Sequence, residues 1–116
     1  MDAEAINPKV IKWFLGRGIN PENLAHMGIY SGRRLPTGEV VPDVSGEIIA
    51  FPYCRKGAVL NAKYREANKR FSQIRGGKKL FWNADVLDSQ ALHDGRAALV
   101  ITEGEIDALS VLEAGY

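Results

Sequence analysis

Apolar positions along the chain recur with two periods, and the switch between them separates helix-like from strand-like stretches. Val10, Ile11, Phe14 and Leu15 form a stripe at helical spacing. Asn7-Pro8 in front of it is a helix start, with proline at the first helical position, and the stripe ends near Gly16 or Gly18. Asn20-Pro21-Glu22 opens a second, shorter helix running to about His26, with Gly28 ending it. Residues 33–40 read as a hairpin-like stretch that turns at Pro36 and Gly38. From residue 47 the period shortens. Residues 47–53 and 58–65 read as paired strands, with Lys56-Gly57 at the turn between them. Alternation then puts Asn61, Lys63 and Arg65 on the solvent face, opposite Leu60, Ala62 and Tyr64. A third strand over 69–74 follows a turn at Ala67-Asn68. Residues 85–95 read as a short helix and loop, capped by Asn83 or Asp85 and closed by Gly95. Leu99, Val100 and Ile101 read as a short buried strand, and Thr102-Glu103-Gly104 as a turn. Ile106, Leu109 and Leu112 then predict a helix over Glu105–Glu113.

That last strand, turn and helix carry the candidate chemistry. Glu103 falls at the C-terminal end of a strand, the edge at which open α/β sheets bind ligands. Asp107 follows one helical turn later and can face the same pocket. Two carboxylates so held suit a divalent cation or a proton-transfer role. A plainer reading makes Glu103 a helix-start residue favoured by the macrodipole, a task that Glu105 can also perform.

Charge sharpens the division of labour. Between Arg55 and Lys79 nine Lys or Arg residues face one acid, Glu66, a net of +8. From Leu80 to Tyr116 the net is −6, and the whole-chain charge of +1 hides this polarity. The basic block is interleaved with Tyr53, Tyr64, Phe71, Phe81 and Trp82, a composition suited to holding phosphates and stacking on bases. Its plainer alternative is a solvated charged face.

The remaining composition sets bounds. At 116 residues, 46% apolar and 25% charged, the chain fits one soluble globular core. No apolar run approaches the roughly 20 residues that span a bilayer, and no signal-peptide pattern opens the chain. A cytoplasmic setting is expected. Cys54 is the only cysteine, so no intramolecular disulfide forms, and it reads as a small half-buried residue. His26 and His93 stand far apart without a cysteine cluster, so no zinc site is expected. Trp13 reads as a core or interface aromatic in preference to a base-stacking platform.

An apolar strand followed by Glu103-Gly104-x-x-Asp107-Ala108-Leu109 resembles the first motif of the Toprim domain of DNA primases, topoisomerases and related nucleases. The wording Ile101-Thr102-Glu103-Gly104-Glu105-Ile106-Asp107 is most similar to the primase part of phage-type primase–helicases. The order of an IAFPY strand, a turn, an NAKYR strand and then KRF resembles the subdomain that precedes Toprim in those enzymes. The resemblance implies an α+β fold, with small helices on an antiparallel sheet over residues 1–95. The first βα unit of an incomplete Toprim domain would occupy 96–116. It implies that Glu103 is catalytic and, with Asp107, a ligand of magnesium or manganese. It also implies that Lys63, Arg65 and Lys69, more loosely Arg70 and Arg75, and Asn61 in line with them hold nucleotide or DNA. The implied partners are single-stranded DNA, ribonucleoside triphosphates and a fused or associated helicase, with no membrane. The second acidic motif of that family, Asp-x-Asp, does not occur between Met1 and Tyr116. The chain is therefore expected to be part of a longer polypeptide that makes RNA primers, and to be inactive by itself. Substitution of Lys63 or Lys69 is expected to weaken binding without loss of fold. The alternative is a non-catalytic single-stranded nucleic-acid-binding module of a phage or mobile-element replication protein. A Toprim nuclease or topoisomerase fits the basic strand pattern less well.

Overall fold

The computed structural model describes residues 6–66, 71–74, 77, 82–96, 99–102 and 104–115. Its first third follows local rules. Helix α1 spans Pro8–Leu15 and α2 spans Pro21–His26. In each, the preceding asparagine (Asn7 or Asn20) accepts a hydrogen bond from the backbone N–H two residues on, and proline takes the first helical position. Each ends in the same way. Gly18 and Gly28 adopt φ of +77° and +73°, and the isoleucine that follows donates its N–H back to Phe14 or Leu24. This turns Ile19 and Ile29 inward, and both are fully buried. Of the predicted stripe on α1, Val10 and Phe14 are buried, whereas Leu15 lies on the exposed side.

Five antiparallel strands follow, ordered β2-β1-β3-β4-β5. They are β1 (Tyr30–Arg34), β2 (Val40–Pro42), β3 (Ile48–Arg55), β4 (Ala58–Arg65) and β5 (Phe71–Gln73). Lys56 and Gly57 both have positive φ, 51° and 82°, as a two-residue turn with the twist of its strands requires. Arg55 pairs with Ala58 across it. The register then slips: Tyr53 pairs with Asn61 but Cys54 with Val59, leaving Leu60 as a bulge.

Register decides which face each strand residue serves. Ile49 lies opposite Arg65, Phe51 opposite Lys63 and Tyr53 opposite Asn61. Cross-strand partners share a face, and Ile49 and Phe51 belong to the main core with Ile6, Val10, Phe14, Leu24 and Leu109. Lys63 and Arg65 therefore point to the helix side and are half-buried, not on an open solvent face as alternation alone suggests. Ala50, Ala62 and Tyr64 form a second cluster with Val40 on the opposite face. There the Tyr30 phenol is pushed up to about 12, by burial first and then by the adjoining Tyr64.

After the sheet come a 3₁₀ turn (Ala84–Asp88), α3 (Gln90–His93) and α4 (Glu105–Glu113). Asn83 takes the N-cap position of the 3₁₀ turn without a side-chain capping hydrogen bond, and Asp85 lies within that turn. Asp85 accepts hydrogen bonds from the Lys56 N–H and from Arg55. The buried strand expected at 99–101 does not form. Leu99, Val100 and Ile101 belong to no strand, are unpaired among the described residues, and are 41%, 44% and 79% exposed. A strand needs a neighbour's hydrogen bonds, and none of the described strands lies beside this one. The helix that follows does form. Its Leu109 is fully buried in the core, and Glu113 accepts hydrogen bonds from the Asn20 N–H (2.5 Å) and from Asn23 Nδ2 (2.7 Å). Thus α4 lies against α2.

Candidate nucleic-acid interface

Where α4 begins, its N-terminal turn meets the basic strand β4 and the end of α1, and a cleft of about 290 Å³ opens between them. Gly104 is the N-cap of α4, and Glu105 and Asp107 occupy its first turn, where the macrodipole favours carboxylates. Both line the cleft, as do Lys63 from β4, Phe71 from β5 and Arg17 from the loop after α1. Phe51 forms the apolar floor.

The two acids differ. Asp107 is exposed and has no hydrogen bond or ion pair to a described residue. Glu105 is only 7% exposed. Its Oε1 accepts a hydrogen bond from the Tyr53 hydroxyl and lies 3.4 Å from Lys63 Nζ. Burial, then the hydrogen bond and charge of Glu105, raise the Tyr53 phenol well above its ordinary range, so the hydroxyl stays protonated and donating.

The cations also sort into kinds. Arg65 stacks over Trp13 at 4.8 Å and over Phe71 at 5.6 Å, and Arg17 stacks over Trp13 at 4.4 Å. Neither guanidinium has a carboxylate partner among the described residues. Burial first, and then the nearby Arg17 charge, lower the Arg65 pKa. Lys63 Nζ sits 4.9 Å over the Phe71 ring, which is 48% exposed. Two cations, Arg17 and Lys63, thus line the cleft with Phe71, and Arg65 adjoins them on the Trp13 and Phe71 rings, the set that holds a phosphodiester chain and stacks its bases.

Other sequence candidates lie elsewhere. Asn61 is buried: its Nδ2 donates to Gln73 at 3.4 Å and its Oδ1 accepts from the Ala62 N–H. Glu103, Lys69, Arg70, Arg75 and Phe81 lie outside the described residues. Of the other aromatics, Trp82 packs edge-on to Phe51 and donates its indole N–H to the Pro52 carbonyl, and Tyr64 is buried on the far face. Cys54 is half-buried, with its thiol pushed up by burial and by Asp85. Trp13 has one edge on Phe14 and the core, as expected, but its ring also carries two guanidiniums. Arg17 is a cleft residue that the sequence pattern does not single out. Its one signal is spacing, since Trp13 and Arg17 are four residues apart at a helix end.

No group of three His, Cys, Asp or Glu side chains suited to a metal ion occurs among the described residues. Nor is any described helix long and apolar enough to cross a membrane.

No family model matches the chain, and no solved structure does. Two curated proteins of Arabidopsis thaliana are similar to it. One, named primase homolog protein, is 33% identical over 88 residues, 74% of this chain and 24% of that protein. The other, named Twinkle homolog protein, chloroplastic/mitochondrial, is 26% identical over 116 residues, 100% of this chain and 14% of that protein. The chain spans no more than a quarter of the length of these curated relatives, and the similarity supports a primase-like relationship.

Proposed function

We propose that this chain is the phosphate-holding part of a DNA primase, a protein that synthesises RNA primers on single-stranded DNA in the cytoplasm during replication. The observation that carries the reading is the pair Arg17 and Lys63 lining one cleft with exposed Phe71, and Arg65 adjoining them on that same ring. Uncompensated guanidiniums seek phosphate oxygens, and the flat rings give bases a sequence-independent stacking surface. Likeness to a primase homolog and a Twinkle homolog supports the same assignment. In this reading Lys63, Arg65, Lys69 and Arg70 hold the template and the triphosphate. Glu103 is the catalytic carboxylate and shares magnesium or manganese with Asp107. The described residues offer Asp107 alone as an unengaged carboxylate near α4, which fits an ion shared with substrate phosphates and falls short of an all-protein cage. When bound, such an ion neutralises charge on the transferring phosphate. The partners proposed for the longer protein are ribonucleoside triphosphates and a fused or associated helicase.

Fluorescence anisotropy of the 116-residue chain with labelled oligo-dT tests the binding half. Weak binding with a log–log salt slope of about −2, one increment of roughly −0.7 for each of three cations, is expected. Absence of binding at low salt removes the reading. Primer synthesis by the full-length protein tests the catalytic half: Glu103→Gln should abolish it while folding is retained. Intact synthesis in that variant would leave a non-catalytic single-strand-binding module as the better description.

A further inference from the structure

Glu105 is a buried charge that phosphate binding does not explain. Taking a carboxylate out of water costs several kcal/mol unless donors replace the lost hydration. Here the replacements are the Tyr53 hydroxyl and the Lys63 ammonium. The Lys63 contact is 3.4 Å, long beside the roughly 2.8 Å of a tight charge-assisted hydrogen bond. The ammonium is therefore retained by Glu105 without being saturated by it, and it borders the cleft that Arg17 and Phe71 also line.

We propose that Glu105 sets how tightly the cleft holds phosphate, by competing with the phosphate for Lys63. The inference rests on the reading of the cleft as a single-stranded DNA site. A phosphate oxygen entering between Arg17 and Lys63 must draw the ammonium away from the carboxylate, and the Tyr53 hydroxyl remains to satisfy Glu105 when it leaves. The exchange is reversible because neither state strands a buried charge without a donor. Asp107, the other acid on the cleft, has no contact with Lys63 and does not share this role. Glu105 is thus a positioning residue that acts through Lys63.

The test is oligo-dT binding by the 116-residue chain at low salt, read by anisotropy, with circular dichroism to verify folding. Glu105→Gln keeps the size of the side chain and its acceptor for Tyr53 but removes the charge. It should tighten binding about fivefold, the scale of one partly exposed ion pair. In a Lys63→Met background the same change should alter affinity by less than about twofold. A purely structural role for Glu105 can only weaken binding, so the sign discriminates. Weaker binding by Glu105→Gln, or equal tightening with and without Lys63, overturns the inference. Should Glu105→Gln fail to fold, Tyr53→Phe takes its place. Deprived of the hydroxyl, the carboxylate holds Lys63 harder, and binding should slacken about twofold; unchanged or tighter binding overturns the inference. Wild-type chain that does not bind oligo-dT refutes the underlying reading instead, which keeps the two failures apart.

Discussion

Arg55 and Arg65 stand at opposite ends of the β3–β4 hairpin, and the molecule treats them differently. At the turn, Arg55 reaches Asp85 at 3.2 Å, Asp88 at 3.1 Å and the Ala84 carbonyl at 3.0 Å. At the far end, Arg65 lies on Trp13 and Phe71 beside a second guanidinium, Arg17, with no carboxylate among the described residues. Lys63 stands between these cases, held by one buried acid. A run of positive charge in a sequence is therefore not one surface. Part of it is neutralised by the acidic segment that follows, and the part left over marks where an outside anion fits.

Three classes of cation predict three stability effects of decreasing size. Lys63→Met leaves Glu105 buried with only the Tyr53 hydroxyl, and should cost about 2 kcal/mol in urea denaturation, below the full loss for a completely buried pair. Adding Glu105→Gln should recover part of that loss. A Lys63 variant as stable as wild type would mean that the pair is loose. Because the Lys63 side chain is half-buried and paired, its replacement is expected to lower stability while the fold is retained.

Arg55→Ala should cost about 1 kcal/mol, since its partners are partly exposed aspartates and a carbonyl. Oligo-dT affinity should change little, and a large loss of affinity would erase the contrast between the two ends. Arg17→Ala and Arg65→Ala should behave in the opposite way. Stability changes by less than about 0.5 kcal/mol, while each lowers affinity several-fold and reduces the salt slope by about 0.7. Loss of stability with an unchanged slope would make the guanidinium pair a packing device.

The far face of the sheet supplies an effect that is absent at neutral pH and emerges only in alkali. Folding raises the Tyr30 pKa from 10.0 to about 12, so the unfolded chain gives up this proton first. The stability that Tyr30 contributes is complete below pH 10 and falls away as pH rises toward 12. Tyr30→Phe should flatten that part of the alkaline unfolding profile, and an unchanged profile would assign the loss to other groups.

Elements set by neighbouring residues are legible in the amino-acid order. Asn7-Pro8 and Asn20-Pro21 start helices because a side-chain oxygen and a proline act within two residues of each other. Lys56-Gly57 turns a hairpin for an equally local reason, and the spacing of Ile106, Leu109 and Leu112 suffices for α4. Residues 99–101 show where such legibility stops: three apolar residues qualify as a strand only if another strand accepts their hydrogen bonds.

The site divides along the same line. Alternation correctly puts Lys63 and Arg65 on one face, since that depends only on the two-residue period of β4. Which face it is depends on pairing with Ile49 and Phe51, whose apolar side chains draw the helices over them. Asp107 is legible as a cleft residue from its place in the first turn of α4. Arg17 and Glu105 do not stand out in the sequence as ligand-facing groups, because their partners are 48 and 42 residues away in Arg65 and Lys63. Residue order is enough for the helices, the hairpin and the chemical character of the basic strand, all of which rest on contacts within a few positions. Which charges cancel and which stay open is a matter of tertiary contacts, because it depends on distances between residues that the chain places far apart.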